Sequence, residues 1–229
     1  MPVNQPSISV NKLGEYVVSK AARQRKILHD RKYPDEEFQI GMYYREATEA
    51  ISRYLASGAL DQEPLETALK VLEQQTPQRV GTARRINGNI DAIERFSTML
   101  DDVDFKGGVP ELGQHAPPKL VRHGVAISVR PEIVLRATIK GREHVGAIKL
   151  HFSKTHPHSE ESAGFVSAAL NEFCKAHLIG ATDAIVNPTF CQVIDVASGK
   201  VHQGVKSTKQ RLADIDAACQ NIAGLWPTI

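Results

Sequence analysis

Cysteine is scarce in this sequence: Cys174, Cys191 and Cys219 are all that the chain carries. They are odd in number, widely spaced and set among apolar residues, which argues against a disulfide framework and offers no zinc motif. Reduced core residues are the expectation. An excess of charge of one sign is lacking too. Lys and Arg number 28 against 26 Asp and Glu, and a formal net charge of +2 does not announce a nucleic-acid partner. Any such case rests on where the cations lie. No charged-then-apolar leader opens the sequence, and no apolar run approaches the roughly 20 residues that span a bilayer, so a soluble cytoplasmic protein is expected. Internal repeats and low-complexity stretches are also lacking. What is present, 41% hydrophobic and 24% charged residues over 229 positions, suffices to bury a sizeable core as one elaborated domain or two small ones.

The first half reads as helical. Leu13, Val17, Ala21 and Leu28 share one face behind a Ser9 or Asn11 cap and predict one helix from about Leu13 to His29. After YPDEE, Phe38, Met42, Ala47, Ile51, Tyr54 and Leu55 recur at helical spacing. Two further helices are expected through PLETALKVLEQQ and around the stripe Ile86, Ile90, Ile93 and Phe96, with Gly81 and Gly88 weakening the start of the second. DDVDFKGGVPELGQHAPPKL, rich in Gly and Pro, reads as a connector. It divides a helical region, 1–110, from a second region, 111–229.

The second region changes character. HGVAISVRPEIVLRATIKG and HVGAIKLHF alternate apolar residues and predict three strands. A helix with Ala163, Val166, Leu170 and Phe173 on one face follows. Then come one or two strands around a turn at SGK. Ser207 to Gln210 form a capping-box pattern ahead of a last helix striped by Leu212, Ile215, Cys219, Ile222 and Trp226. The fold class is therefore α/β: a small mixed sheet flanked by helices, in the order helix, three strands, helix, strand, preceded by a helical N-terminal half.

Within VRPEIVLRATIKGREHVGAIKLHFSK, Lys149 has apolar or small neighbours and must reach water or meet a negative partner. Glu132, on the preceding strand, is the candidate. The plain alternative has Lys149 snorkelling from a strand edge while Glu132 pairs with Arg130 or Arg136.

The element order and this hairpin resemble the core of the PD-(D/E)XK nuclease superfamily, over about residues 120–200. In that family one acid on the second strand, with an acid and a lysine on the third, hold a divalent ion against a scissile phosphate. Pro131 and Glu132 stand where the family has Pro and Asp, and Lys149 stands where it has its lysine. Ala147 occupies the place of the second acid. Some restriction enzymes of the superfamily supply that acid from the following helix, and Glu161 has a similar spacing here; Glu160 and Glu161 are also ordinary residues for a helix N-terminus. The resemblance implies a nuclease acting on nucleic acid, DNA ahead of RNA, with Mg²⁺ or its substitute Mn²⁺ on Glu132 and Glu161, and Glu132, Lys149 and Glu161 as the catalytic set. It equally admits a decayed site in a binding or scaffold subunit of a larger complex. A homodimer is the other assembly it suggests.

The opening segment also resembles the first helix of RecB-type nucleases in its Ser, its Leu and its basic patch. Arg23, Lys26, Arg31 and Lys32 are the residues expected to meet a phosphate backbone, against the commoner outcome of a solvated basic helix. His151, His156 and His158 cluster in HFSKTHPHSE, where loop histidines beside a strand end outweigh a metal pair. Asp195, followed by ASGK, reads as the start of a turn.

Overall fold

The computed structural model describes residues 3–34, 43–180 and 183–229. Phe38 and Met42 of the sequence stripe lie outside them. The fold is mixed α/β, with two open sheets and helices on both sides. Strand β1 (Ser7–Ser9) leads into helix α1 (Val10–Val18), α2 spans Ala21–Lys32 and α3 spans Arg45–Ala56. Helices α4 (Glu63–Glu73) and α5 (Val80–Ser97) follow, then strands β2 (Val109–Leu112), β3 (Leu120–Arg122) and β4 (Val125–Ser128). β5 (Ile133–Ile139), β6 (Arg142–His151), α6 (Glu160–His177), β7 (Ile185–Val186), β8 (Gln192–Asp195), β9 (Lys200–His202) and α7 (Lys209–Leu225) complete the order.

The larger sheet runs β2-β5-β6-β8-β9, with β7 also paired to β6; the smaller runs β1-β4-β3. β5 and β6 form an antiparallel hairpin closed by Lys140 and Gly141, both with positive φ. That is the two-residue turn whose twist matches the flanking strands, and it fixes the register Ile139 to Arg142. β6 and β8 are parallel, so α6 is the crossover between them.

Alternation along the strands separates two cores. Ile133, Leu135, Ile148, Leu150 and Ile194 face α3, α4 and α5. Ala147 and Val193 face the opposite way, into a core built with α1, α2, α6 and α7. The two sequence regions interlock across the expected boundary at residue 110. β1 pairs parallel with β4, and α1 packs on α6.

Several local expectations are corrected. The single helix from Leu13 to His29 is two helices, because Ser19 and Lys20 are extended (ψ 151° and 157°) and turn α2 back over β1. The connector contains β2 and runs into the first residue of β3; both strands borrow their order from pairing with β5 and β4 rather than from their own periodicity. The capping box before α7 does not form: Thr208 makes no side-chain cap bond and adopts a helical backbone.

Candidate functional site

The β5–β6 ladder ends at Ile133 opposite Ile148. Beyond it the backbone of Leu150 is met by side chains. Its N–H donates to Glu132 Oε2 at 2.7 Å, and its carbonyl accepts from Asn11 Nδ2 of α1 at 2.9 Å. Lys149 Nζ donates to Glu132 Oε1 at 2.5 Å and to the Arg130 carbonyl at 2.9 Å. Arg130 itself holds a positive φ of 38°, which turns that carbonyl where the ammonium reaches it. Both side chains are largely withdrawn from water, 13% exposed for Lys149 and 12% for Glu132. Lys149 therefore meets Glu132 rather than snorkelling outward. Arg136 is instead paired with Glu143 and Glu111.

The other expected carboxylate is elsewhere. Ala147 is fully buried and offers no donor. α6 opens with a box in which Ser159 accepts from the Ser162 N–H while the Ser162 hydroxyl accepts from the Ser159 N–H. Glu160 in that first turn accepts from His202 Nδ1 on β9 at 3.0 Å. His202 pairs with Val193, which pairs with Lys149, so Glu160 is anchored two strands from the lysine, about 10 Å at the usual strand spacing. Glu161 is exposed at the start of α6. Its carboxylate makes no hydrogen bond or ion pair among the described residues. The structure brings Glu132 and Lys149 together and leaves Glu161 apart.

That donor set does not fit the Mg²⁺ or Mn²⁺ implied by the resemblance. Both Glu132 oxygens are engaged, Ala147 has none, and Glu161 is exposed; a hard cation needs more oxygen ligands than this. Among the described residues no three His, Cys, Asp or Glu side chains are arranged to hold an ion.

Three of the four cations expected to meet phosphate are used internally. Arg23 Nε donates to Glu15 Oε1 at 2.7 Å, and Arg31 Nε donates to Ser7 Oγ at 2.9 Å. Lys32 Nζ donates to the carbonyls of Trp226 and Ile229 at 2.8 and 2.9 Å. Lys26 stays on the exposed face of α2, 3.2 Å from Asp30.

Sequence reasoning underrated a polar cluster at the end of β6 and β8. Asp195 is fully buried. One of its oxygens accepts from the Ser198 N–H, as expected of a turn, and the other accepts from the His158 N–H at 2.6 Å. His151 and His158 are both 5% exposed, with ring centroids 4.1 Å apart. Glu15 of α1 closes the cluster, held by Lys12 at 2.7 Å and by Arg23. Burial pushes the Glu15 carboxyl up, and the two cations more than offset it, so it titrates below the usual carboxylate range. HFSKTHPHSE signalled the histidines. Nothing local signalled Glu15 or His202.

Comparison with protein-family models, with curated proteins and with solved structures finds no match.

Proposed function

We propose that this chain is a decayed relative of the PD-(D/E)XK nucleases, a nucleic-acid-binding component of a larger complex that does not itself cut. The observation that carries the reading is the state of Glu132. Its carboxylate neutralises Lys149 and replaces a ladder acceptor for Leu150, so the two residues most like a nuclease pair form a structural clamp. Binding rests on the outward side of α2, where Lys20, Arg25, Lys26 and His29 are exposed. Arg25, His29 and Lys26 fall within about 100° of one another around the helix. Such a patch supports modest, salt-dependent and sequence-independent contact with phosphates.

An active nuclease is the second reading, favoured by the approach of Glu132 to Lys149. A panel of DNA and RNA substrates with Mg²⁺ or Mn²⁺ separates the two. The expected result is no cleavage above that of Lys149→Ala, together with oligonucleotide binding that weakens with salt and with Arg25→Glu/Lys26→Glu. Cleavage by the wild-type chain that Lys149→Ala abolishes would overturn the proposal in favour of the enzyme.

A further inference from the structure

Three buried histidines join five elements at one end of the larger sheet. His151 closes β6, His158 sits in the 152–159 loop, and His202 lies on β9; they are 5%, 5% and 3% exposed. His151 Nε2–H donates to the His156 carbonyl at 2.9 Å, which folds the loop back on its own strand. His158 lies against that ring, and its backbone N–H is held by Asp195 of β8.

In His158 and His202 the hydrogen bonds reach only one ring nitrogen. The Glu160 carboxylate is acceptor-only, so His202 Nδ1–H donates to it. His158 Nδ1 lies 3.0 Å from Ser162 Oγ, a hydroxyl that also meets the N–H and the carbonyl of Ser159. In both rings it is Nδ1 that is hydrogen-bonded. Each Nε2 is buried and has no partner among the described residues. An imidazolium at His158 would carry an Nε2–H with no acceptor, in a ring set against that of His151.

We propose that the His151, His158 and His202 cluster is an acid-operated latch: proton uptake releases the 152–159 loop and the first turn of α6 from the sheet end beside Lys149. The groups facing the cluster do not supply the missing acceptor. Lys12 of α1 opposes a positive charge on His151 and His158. Glu15 of α1 favours one on His151 but is already held by Lys12 and by Arg23 of α2. His156 in the loop stands 3.6 Å from Glu15. Asp195 of β8 favours a positive charge on His151 but spends its oxygens on the backbone of His158 and Ser198, and Glu160 of α6 is bonded to Nδ1 of His202 rather than facing either Nε2.

The direction follows from linkage. Burial first, then the neighbouring His151 and His202, hold His158 down to about 3 from 6.5. A group depressed in the closed state contributes its full stability above pH 6.5 and loses it as pH falls toward 3. For His158 alone this favours opening by about thirtyfold at pH 5 relative to pH 7.5.

Amide hydrogen exchange on the full chain at pH 7.5 and 5.0, corrected for intrinsic rates, tests this. Residues 152–162 should open roughly thirtyfold more often at pH 5.0 while β5 and α5 keep their protection. In His158→Asn/His202→Asn, which can still donate to Ser162 and Glu160 but cannot titrate, the acid-induced opening should be lost. Unchanged protection of 152–162, loss spread evenly over the chain, or an unaltered response in the double variant would each overturn the proposal. The wild-type imidazole C–H chemical shifts provide a reading that needs no variant. Protonation of His158 or His202 that tracks loop opening supports the latch, and rings that stay neutral through opening overturn it.

Discussion

Removing the Lys149 ammonium leaves the Glu132 carboxylate nine-tenths withdrawn from water with only the Leu150 N–H to answer its charge. Breaking one side of such a pair costs more than the pair itself contributes, because desolvation of the survivor is no longer offset. Lys149→Ala is therefore expected to lower unfolding free energy by ~3 kcal/mol in urea titrations. Glu132→Gln/Lys149→Met, which retains an acceptor for Leu150 and has no charge to bury, should cost less than Lys149→Ala alone. A double variant no more stable than the single one would show that packing, not charge, dominates at this position. This pair was legible in the sequence because a lysine between apolar neighbours on a strand has few places to go. Asp195 was only half legible. Its turn-forming role depends on Ser198 three residues away, whereas its burial depends on a loop that closes over it from 37 residues earlier.

At the scale of elements, the helices of the first half are joined by a polar link that periodicity does not reveal. Asn89 on α5 is fully buried. Its Oδ1 accepts from the Ala47 N–H, one of the donors left free at the start of α3, at 2.8 Å. Its Nδ2 donates to the carbonyls of Tyr43 and Arg85 at 2.6 and 2.9 Å. Asn89→Ala should cost about 1–3 kcal/mol, the range for a buried backbone group left without its partner. The thermal midpoint and urea curve would register it; a change within error would mean that water or a shifted Tyr43 backbone replaces the amide. The stripe of α5 could be read because a helix that buries one face repeats its apolar residues at a regular interval, whereas α6 is buried all round from Ser162 to Asn171, more than its stripe implied. β2 and β3 could not, because strands of four and three residues carry too few alternations to stand out from a Gly- and Pro-rich connector. The break at Ser19 was equally hidden. Those residues suit a continuing helix, and tertiary packing of α1 on α6 decides otherwise.

For the whole molecule, the larger sheet is a floor shared by two cores: α3, α4 and α5 of the first region cover one side, and α1 and α2 together with α6 and α7 cover the other. Ile8, Val10, Leu13 and Tyr16 of β1 and α1 are all buried against the later region. Full burial of such side chains contributes roughly 1.5–3 kcal/mol each, so removing these four withdraws about 6–12 kcal/mol. Domains of this size have net stabilities of about 5–15 kcal/mol. Residues 111–229 alone are therefore expected to lack a cooperative melting transition, while the full chain melts in one. Calorimetry on both polypeptides decides this. A cooperative transition in the 111–229 fragment would mean that the sheet with α6 and α7 folds independently, and that β1 and α1 dock on a core already formed. Its absence would mean that the β5–β6 hairpin owes its stability to the opening helix, since Asn11 of α1 holds the carbonyl of Leu150, whose N–H is held by Glu132.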